Sequence, residues 1–512
     1  MYNIANKILK ICSIVFLTFL AIVSFFFTQR TGKKELGEII NGAPIYQESD
    51  NIILNVVILI LICALLLGLH TAVSRITILQ NERFIKCIQI ITSIMAGIIA
   101  YLILSGGQRT PIDDQVQVYS AAALFNQDNY INMSKGGYVN MYPQQLGLIL
   151  YIQLLFRIFG NGNYYVFQLI NCFFIGGSVY FACKCINQLT EKSSIRILCA
   201  VSFLFVFPLF LLSSWVYGDV PSFFFIFMLF YYYLSFYSKH KKIDLFFGIL
   251  AACFSLIFRK NSIIILLAIG IVSVVQFFID KNKKILIQTA VLCILPFLVV
   301  QGINIYYEKV SSYSIDGGIP SIMWITMGTI EDGSKPGWFN NFCVSTYYAN
   351  DCDKTASIQE SKTKLKEQLR YFTENPVYAA SFYKRKICTQ WNDPFYGTDK
   401  LIDVDENIVP NGITLILLQY QDQLRELLSG LQFIIYLGTL IYALRSMDKK
   451  YFYKNCFPTT ILGGFLFSIL WEANSRYILP YFLIMIPLAL IGLEEFVNTT
   501  AKIIYKLHTN KQ

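Results

Sequence analysis

The stretch IILNVVILILICALLLGL, residues 52–69, carries no charged side chain and a single amide, that of Asn55. A helix needs about 20 mainly apolar residues to cross the roughly 30 Å hydrocarbon layer of a membrane. Inside that layer, only a helix or a closed barrel satisfies its own backbone hydrogen bonds. Similar runs recur along the 512 residues, of which 55% are hydrophobic and 14% charged, with a mean hydropathy of +0.51. The sequence therefore predicts an all-α polytopic membrane protein.

Twelve such runs predict about twelve transmembrane helices. They cover residues 11–27, 52–69, 87–104, 164–182, 197–215, 220–238, 245–258, 262–278, 285–306, 427–444, 456–471 and 477–493. These helices and the intervals between them divide the chain into five parts. The parts are N-terminal transmembrane helices at 1–104, an outer loop with an interfacial helix at 105–162, a transmembrane core at 163–306, a small extracytoplasmic subdomain at 307–426, and C-terminal transmembrane helices with a tail at 427–512.

The basic residues orient these helices, because Lys and Arg accumulate in short cytoplasmic loops. With both termini in the cytoplasm, the inner segments hold 21 of the 42 basic residues and the short outer segments hold nine. One outer segment, with Arg30, Lys33 and Lys34, opposes this trend. The run at 146–159 would invert every later loop if it crossed the membrane, so we expect a re-entrant or interfacial helix on the outer leaflet.

An acidic pair, Asp113 and Asp114, follows the third predicted helix in the most polar part of the first third of the chain. A carboxylate held there can act as a general base at the membrane surface. Asp is also a favoured N-cap residue, so the pair could instead cap a helix that begins at Gln115. Asp219 leaves two similar alternatives open, a second acidic site or a helix start just before Pro221.

Three outer cations are candidates for binding an anionic headgroup. Arg259 and Lys260 lie at a predicted helix end, where long basic side chains also simply extend to the membrane surface. Arg476 lies between the last two predicted helices, and its guanidinium suits bidentate recognition of phosphate. The alternative for Arg476 is a local ion pair with Glu472, four residues earlier. Glu472 is itself a candidate substrate contact.

The outer segments also contain aromatic and helical candidates. Tyr138 and Tyr142 are candidate substrate contacts, or else they anchor the protein at the membrane interface as tyrosines commonly do. In the loop at 307–426, apolar spacing predicts one helix over 357–373, and Pro376 starts a second that runs through Trp391. This subdomain is either a lid that selects an acceptor or a packing cap without ligand contact.

Taken in chain order, these features resemble the GT-C membrane glycosyltransferases. The resemblance rests on the acidic pair, the YPQQL turn at 142–146, the interfacial helix that ends before Gly160, Asp219 within WVYGDVPSFF, and the motif WEANSRYILPY at 471–481. The chain looks most similar to bacterial dolichyl-phosphate-mannose-protein mannosyltransferase-like and aminoarabinose transferase-like enzymes, of the glycosyltransferase family 39 type.

The resemblance implies transfer of a sugar, with inversion, from a polyprenyl-phosphate donor to a cell-envelope acceptor on the outer face. The acceptor class stays open among a cell-wall polymer, a glycolipid and a protein. In this reading Asp113 and Asp114 are catalytic, with Asp113 the slightly better match to the family base. Arg476, Arg259 and Lys260 bind the donor phosphate, and Asp219 is a second acidic site.

Two other functions are consistent with a polytopic basic protein: a lipid-linked saccharide flippase or transporter, and an O-antigen-type polymerase. A flippase needs ionisable residues along the middle of several helices, whereas here they gather at helix ends. No cofactor follows from the residues, and a divalent metal is left open. The chain has no nucleotide-binding glycine loop and no soluble basic domain for nucleic acid. We therefore expect a multi-pass cell-membrane enzyme whose partners are a lipid-linked donor, the acceptor and the bilayer.

Overall fold

The computed structural model describes residues 2–31, 45–107, 110–333, 335–402, 409–410, 412–445, 447 and 451–509. The helices of the first half are α1 Tyr2–Phe26, α2 Ile52–Arg75, α3 Glu82–Ser105, α4 Asp114–Phe125, α5 Tyr138–Met141, α6 Leu146–Phe159, α7 Tyr165–Leu189, α8 Ser193–Ser202, α9 Phe207–Leu211, α10 Asp219–Lys239 and α11 Lys242–Phe258. Those of the second half are α12 Ile263–Asp280, α13 Lys283–Ser311, α14 Ser321–Met327, α15 Phe342–Ala349, α16 Lys354–Glu374, α17 Pro376–Trp391, α18 Gly412–Gln419, α19 Gln421–Arg445, α20 Cys456–Leu470 and α21 Leu479–Thr509.

Short 3-10 turns and two small hairpins complete the described secondary structure. The turns relevant to the site are Pro143–Gln145, Leu212–Ser214, Lys260–Ser262, Asp399–Leu401 and Ser475–Tyr477. Antiparallel strands β1 Phe27–Thr31 and β2 Ile45–Ser49 form one hairpin, and β3 Glu331–Asp332 with β4 Lys335–Pro336 forms the other.

The predicted membrane helices all appear as helical segments. Within the described residues, nine helices are long and apolar enough to cross a membrane, and the pair Ser193–Phe205 and Phe207–Ser214, bent by 54°, makes a tenth if it counts as one span. The other two predicted spans are the shorter helices α11, with 17 residues, and α20, with 15. An integral membrane protein with many apolar helices is thus confirmed, while the number twelve stays a prediction.

Local sequence explains where several of these helices begin and end. Asn51 and Asn282 each accept a backbone N–H from inside the following helix, α2 and α13, as N-cap residues do. At the other end, α10 stops at His240 and α12 at Lys281, both in the left-handed conformation that terminates helices. These turns produce the tight α10–α11 and α12–α13 hairpins, which return the chain to the end of the bundle that contains Asp219.

The helix packing is tight where small residues meet. Helix α10 packs between α7 and α11, and α19 packs between α21 and α1. A Cβ added at Gly492 of α21 would lie only 2.1 Å from the carbonyl oxygen of Gly438 in α19, so both backbones approach as only glycine permits. At the end away from Asp219, Arg196 makes a bidentate ion pair with Glu82, which joins α8 to α3.

The β1–β2 hairpin explains part of the charge pattern. Arg30, expected as an outlying outer cation, makes ion pairs with Glu48 of β2, at 2.5 Å, and with Asp422 of α19, at 3.2 Å. Its charge is therefore compensated locally. Lys33 and Lys34 lie outside the described residues.

The segment 312–402, called here the loop segment, contains α14–α17 and the β3–β4 hairpin. The two predicted helices are confirmed as α16 and α17, with Pro376 at the first position of α17. Helix α6, Leu146–Phe159, has the predicted bounds and ends before Gly160, whose φ of 102° favours glycine. Whether α6 lies at an interface stays a prediction.

Candidate functional site

Most of the predicted site residues converge at one end of the helix bundle. The N-terminus of α4 supplies the acidic pair, and the segment before α10 supplies Trp215, Tyr217 and Asp219. The end of α11 supplies Arg259, and the turn between α20 and α21 supplies Glu472 and Arg476. Side chains from four separate parts of the chain therefore face one another where several helices end.

Asp219 forms the buried ion pair of this cluster. Its Oδ1 lies 3.0 Å from Nη2 of Arg259, and its Oδ2 accepts a hydrogen bond of 3.1 Å from the indole of Trp215. The start of α10 and the end of α11 can approach closely because residue 218 is glycine. A Cβ at this position would lie only 1.9 Å from the carbonyl oxygen of Phe258. Both carboxylate oxygens of Asp219 are thus occupied, which gives it a role in holding Arg259 and Trp215.

Asp113 and Asp114 have different environments. Asp113 has a φ of 53° and a ψ of −136°, which is strained for a residue with a side chain. It makes no capping hydrogen bond, and its exposed carboxylate pairs with Nζ of Lys400 at 2.5 Å. The expected cap by the Asp113 side chain is therefore not formed.

Asp114 is the first residue of α4 and makes no hydrogen bond or ion pair with any described residue. The residue is exposed to solvent, yet neighbouring protein atoms partly desolvate its carboxyl group. Desolvation raises the pKa of Asp114, and the positive charges of Arg476, Arg259 and Lys400 act against that rise. Asp114 is therefore the unpaired acid of the cluster.

Arg476 is the cation of the cluster whose side chain has no hydrogen-bond or ion-pair partner among the described residues. Asn474 accepts the backbone N–H of Arg476 at 3.0 Å and so fixes the turn, and the guanidinium lies 4.4 Å above the ring of Trp215 and 5.5 Å from that of Tyr217. Its Nε and Nη1 are buried and have no hydrogen-bond partner among the described residues. The alternative of a local ion pair with Glu472 is not formed among them either.

Glu472 is a buried acid in the same turn, with 5% of its surface exposed. Burial, and then the charge of Asp114, raise the pKa of Glu472 to about 8, while Arg476 and Lys386 oppose the rise. Glu472 is thus mostly protonated at neutral pH. This leaves Asp114 as the acid of the cluster whose side chain has no hydrogen-bond or ion-pair partner among the described residues.

Lys386, which belongs to α17 of the loop segment, binds the end of α20 just before the turn that contains Glu472 and Arg476. Its fully buried amine donates to the carbonyl oxygens of Gly328, at 2.5 Å, and Ile469, at 2.9 Å. Burial lowers the pKa of Lys386 to about 7, and Glu472 opposes that change. Because Ile469 lies in the last turn of α20, Lys386 satisfies a carbonyl that the helix leaves free.

Two glutamines and a tyrosine hold residues 110–162, called here the acidic loop, against the segment that precedes α10. Gln115 accepts the backbone N–H of Val216 at 2.6 Å, and Gln145 donates to the hydroxyl of Tyr217. The guanidinium of Arg259 lies 5.3 Å above the ring of Tyr217. Tyr217 lies within the motif WVYGDVPSFF and Gln145 within the YPQQL turn, whereas no sequence signal indicated that the side chain of Gln115 contributes.

The remaining candidates divide into two groups. Tyr138 and Tyr142 line the site, and burial raises the pKa of both hydroxyls, with the charge of Asp114 adding to it. Lys260 is exposed and makes no hydrogen bond or ion pair with any described residue, so it is not brought into the cluster. Among the described residues, no group of three or more His, Cys, Asp or Glu side chains is arranged to hold a metal.

A narrow crevice runs from this cluster between α10, α12 and α21. Arg259, Arg476 and Asp219 line it together with Phe223, Ile226, Ile265 and Tyr481. Its volume of about 20 Å³ has room for about one water molecule. A larger ligand therefore requires these helices to separate.

One family comparison covers almost the whole chain. The model of a family described as "conserved hypothetical integral membrane protein" matches residues 1–496. No curated protein and no solved structure matches the chain. The protein therefore belongs to this family of conserved hypothetical integral membrane proteins.

Proposed function

We propose that the protein is a GT-C-type membrane glycosyltransferase that moves a sugar from a polyprenyl-phosphate donor to a cell-envelope acceptor. The observation that carries this proposal is that two groups at the helix ends, the guanidinium of Arg476 and the carboxyl group of Asp114, interact electrostatically and have no hydrogen-bond partner among the described residues. The guanidinium can stabilise an anionic leaving group, and the carboxylate can remove a proton from the acceptor. The charge bias of the loops supports placement of this end on the outer face.

Arg476 supports the donor assignment. A buried guanidinium without partners loses the hydrogen bonds that water would provide, and an anion restores them. Phosphate matches the fork of the guanidinium bidentately. The crevice below Arg476 is lined by Phe223, Ile226 and Ile265, which suits the apolar chain of a lipid-linked phosphate once the helices part.

Asp114 is the better candidate for the general base. Asp113 pairs with Lys400 and is exposed, whereas Asp114 has no side-chain partner within the described part of the chain and lies within electrostatic range of Arg476. In the proposed step, Asp114 takes the proton of an acceptor hydroxyl as its oxygen bonds to the anomeric carbon. The bond from that carbon to the phosphate oxygen breaks, and its electron pair leaves with the phosphate, which Arg476 stabilises.

Charge balance in the cluster is consistent with one phosphate. Asp219 and Arg259 neutralise each other, as do Asp113 and Lys400. Because Glu472 is mostly neutral, it adds no repulsion against the phosphate. These pairs leave Arg476 to meet the donor and Asp114 to act on the acceptor.

The transporter alternative has less support. Within the described parts of the chain, buried charged side chains such as Asp50, Asp219 and Arg425 lie at or near helix ends rather than along the middle of several spans. Glu494 lies within α21, directly after the apolar run at 477–493. A polar path through the membrane requires mid-span groups. We therefore keep transfer as the single proposal.

The test compares the two acidic residues. Purified wild type, Asp113→Asn and Asp114→Asn are assayed with a panel of polyprenyl-phosphate sugars, and Asp128→Asn serves as the control because Asp128 is an exposed acid in the same loop. Asp114→Asn should lose most activity, since general bases contribute roughly a hundred- to ten-thousandfold. Asp128→Asn should match wild type. Equal activity in all four proteins would remove the acidic pair from the mechanism.

A further inference from the structure

Five aromatic side chains form a continuous row that ends at the candidate site. Phe467 stacks on Trp471 with ring centroids 5.2 Å apart, and Trp471 stacks on Trp324 at 6.2 Å and an interplanar angle of 12°. Trp324 contacts Tyr142 at 6.0 Å, and Tyr142 contacts Tyr138 at 5.0 Å. The rings come from α20, the loop segment and the acidic loop, so the row forms only in the folded protein.

The row reaches the acidic groups that the proposed mechanism uses. Trp471 directly precedes Glu472, and the charge of Asp114 acts on the hydroxyl of Tyr142. The rings of Tyr142, Trp324 and Trp471 are half-buried, which leaves part of each accessible. Accessible aromatic surface thus lies near the carboxyl group of Asp114, which has no partner among the residues that the structure describes.

We propose that Tyr142, Trp324 and Trp471 form the acceptor subsite and that the acceptor is a saccharide. The proposal rests on the transfer function above and specifies the acceptor class that it left open. A pyranose presents C–H groups on its faces and hydroxyls on its rim. The accessible parts of the three aromatic side chains can contact these C–H groups, and Asp114 and Glu472 match the hydroxyls. A flexible polypeptide or a polyol phosphate lacks such a rigid apolar face.

The position of the row favours the acceptor over the donor sugar. In an inverting displacement, the nucleophile approaches the anomeric carbon from the side opposite to the leaving phosphate. The arginines Arg259 and Arg476 line the crevice between α10, α12 and α21, whereas Trp324 belongs to α14 of the loop segment. Asp114 interacts with both groups, since its charge acts on Arg476 and on Tyr142.

The loop segment is attached firmly to this subsite. Gly337 accepts the backbone N–H of Ala473 at 2.7 Å, and Trp391 donates to Ser468 at 3.0 Å. Lys386 adds its bond to the end of α20. These contacts hold the loop segment, which carries Trp324, against the end of α20 and Trp471.

The experiment measures donor and acceptor constants separately in Trp324→Ala and Trp471→Ala. Acceptors are short oligosaccharides, hydroxyl-containing peptides and glycerol-phosphate oligomers. We expect only the oligosaccharides to accept sugar. In each alanine variant, the KM for the acceptor should rise about tenfold, or about 1.4 kcal/mol, while the KM for the donor stays unchanged. Trp324→Phe should recover most of the loss. Phe339→Ala is the control, because Phe339 is an exposed aromatic residue of the loop segment outside the row.

Three results would overturn the proposal. These are transfer to a peptide or a glycerol-phosphate oligomer but to no oligosaccharide, a rise in donor KM alone, and an unchanged acceptor KM in both alanine variants. If Trp324→Ala does not accumulate, Trp324→Leu replaces it, since it keeps an apolar side chain at that position.

Failure of the proposed function is distinguishable from failure of the subsite. In that case wild type transfers no sugar to any acceptor. The subsite is then tested by quenching of tryptophan fluorescence with the same oligosaccharides. Binding that disappears in Trp324→Leu supports the subsite, and quenching that is absent or equal in both proteins overturns it.

Discussion

Replacement of Arg476 by alanine removes the one guanidinium of the cluster that has buried, unpaired donors. Two of its nitrogens are available for a phosphate, and loss of a hydrogen bond to a charged group typically costs about 1.5 to 3 kcal/mol. Donor use should therefore weaken by roughly ten- to a hundredfold. The contact with Trp215 at 4.4 Å is also lost, but it concerns a neighbouring ring and not the ligand.

The assay is the Michaelis constant for the donor at saturating acceptor, in wild type, Arg476→Ala and Arg476→Lys. Lysine restores the charge without the fork, so Arg476→Lys should recover only part of the loss. Lys260→Ala is the matched control, since Lys260 is an exposed cation directly after Arg259 that lies outside the cluster. The thermal stability of Arg476→Ala should change little, because removal of the guanidinium deprives no described side chain of a hydrogen-bond partner.

An unchanged donor KM together with a raised acceptor KM would refute the assignment of Arg476 to the donor phosphate. Equal losses in Arg476→Ala and Lys260→Ala would refute it as well, because they would indicate a general effect of outer positive charge on an anionic lipid. Full recovery by lysine would show that a point charge suffices and that bidentate contact is absent.

Three further predictions concern stability and topology. Asp219→Asn leaves Arg259 as an uncompensated buried charge and should destabilise the protein by about 3 to 5 kcal/mol, measured by thermal unfolding in detergent. Burial raises the pKa of Glu472 to about 8 from 4.5, so the folded protein binds more protons than the unfolded chain between these values, and stability falls as pH rises through that window. Glu472→Gln should remove this fall, and a wild-type-like pH profile in the variant would contradict the pKa shift. A cysteine introduced at Ser345 should react with an impermeant thiol reagent on whole cells above the wild-type background, and one at Ser193 should not; the reverse labelling would invert the proposed orientation.

The membrane helices could be predicted because the bilayer imposes a length and a composition that are local in sequence. Helix α6 was predicted with its bounds, since Pro143 and Gly160 mark its two ends. The number of crossings does not follow in the same way, because α11 and α20 are shorter than a typical span and α8 with α9 is bent. Hydropathy alone cannot say whether such helices cross.

The site was predictable only in part, for a related reason. Outer acids and cations at helix ends stand out in an apolar sequence, which is how Asp114, Asp219 and Arg476 were found. Which of them pair depends on contacts across the chain, and Lys400 reaches Asp113 over 287 residues. Lys386 gave no local signal either, since its partner carbonyls come from two other segments.

The most direct test of the central claim is the stoichiometry of a single transfer reaction with purified protein. Wild type should release one polyprenyl phosphate for each sugar that appears on the acceptor, and Asp114→Asn should lower kcat by at least about a hundredfold while the donor KM stays within about twofold of wild type. Release of polyprenyl phosphate without a glycosylated acceptor, or full kcat in Asp114→Asn, would contradict it.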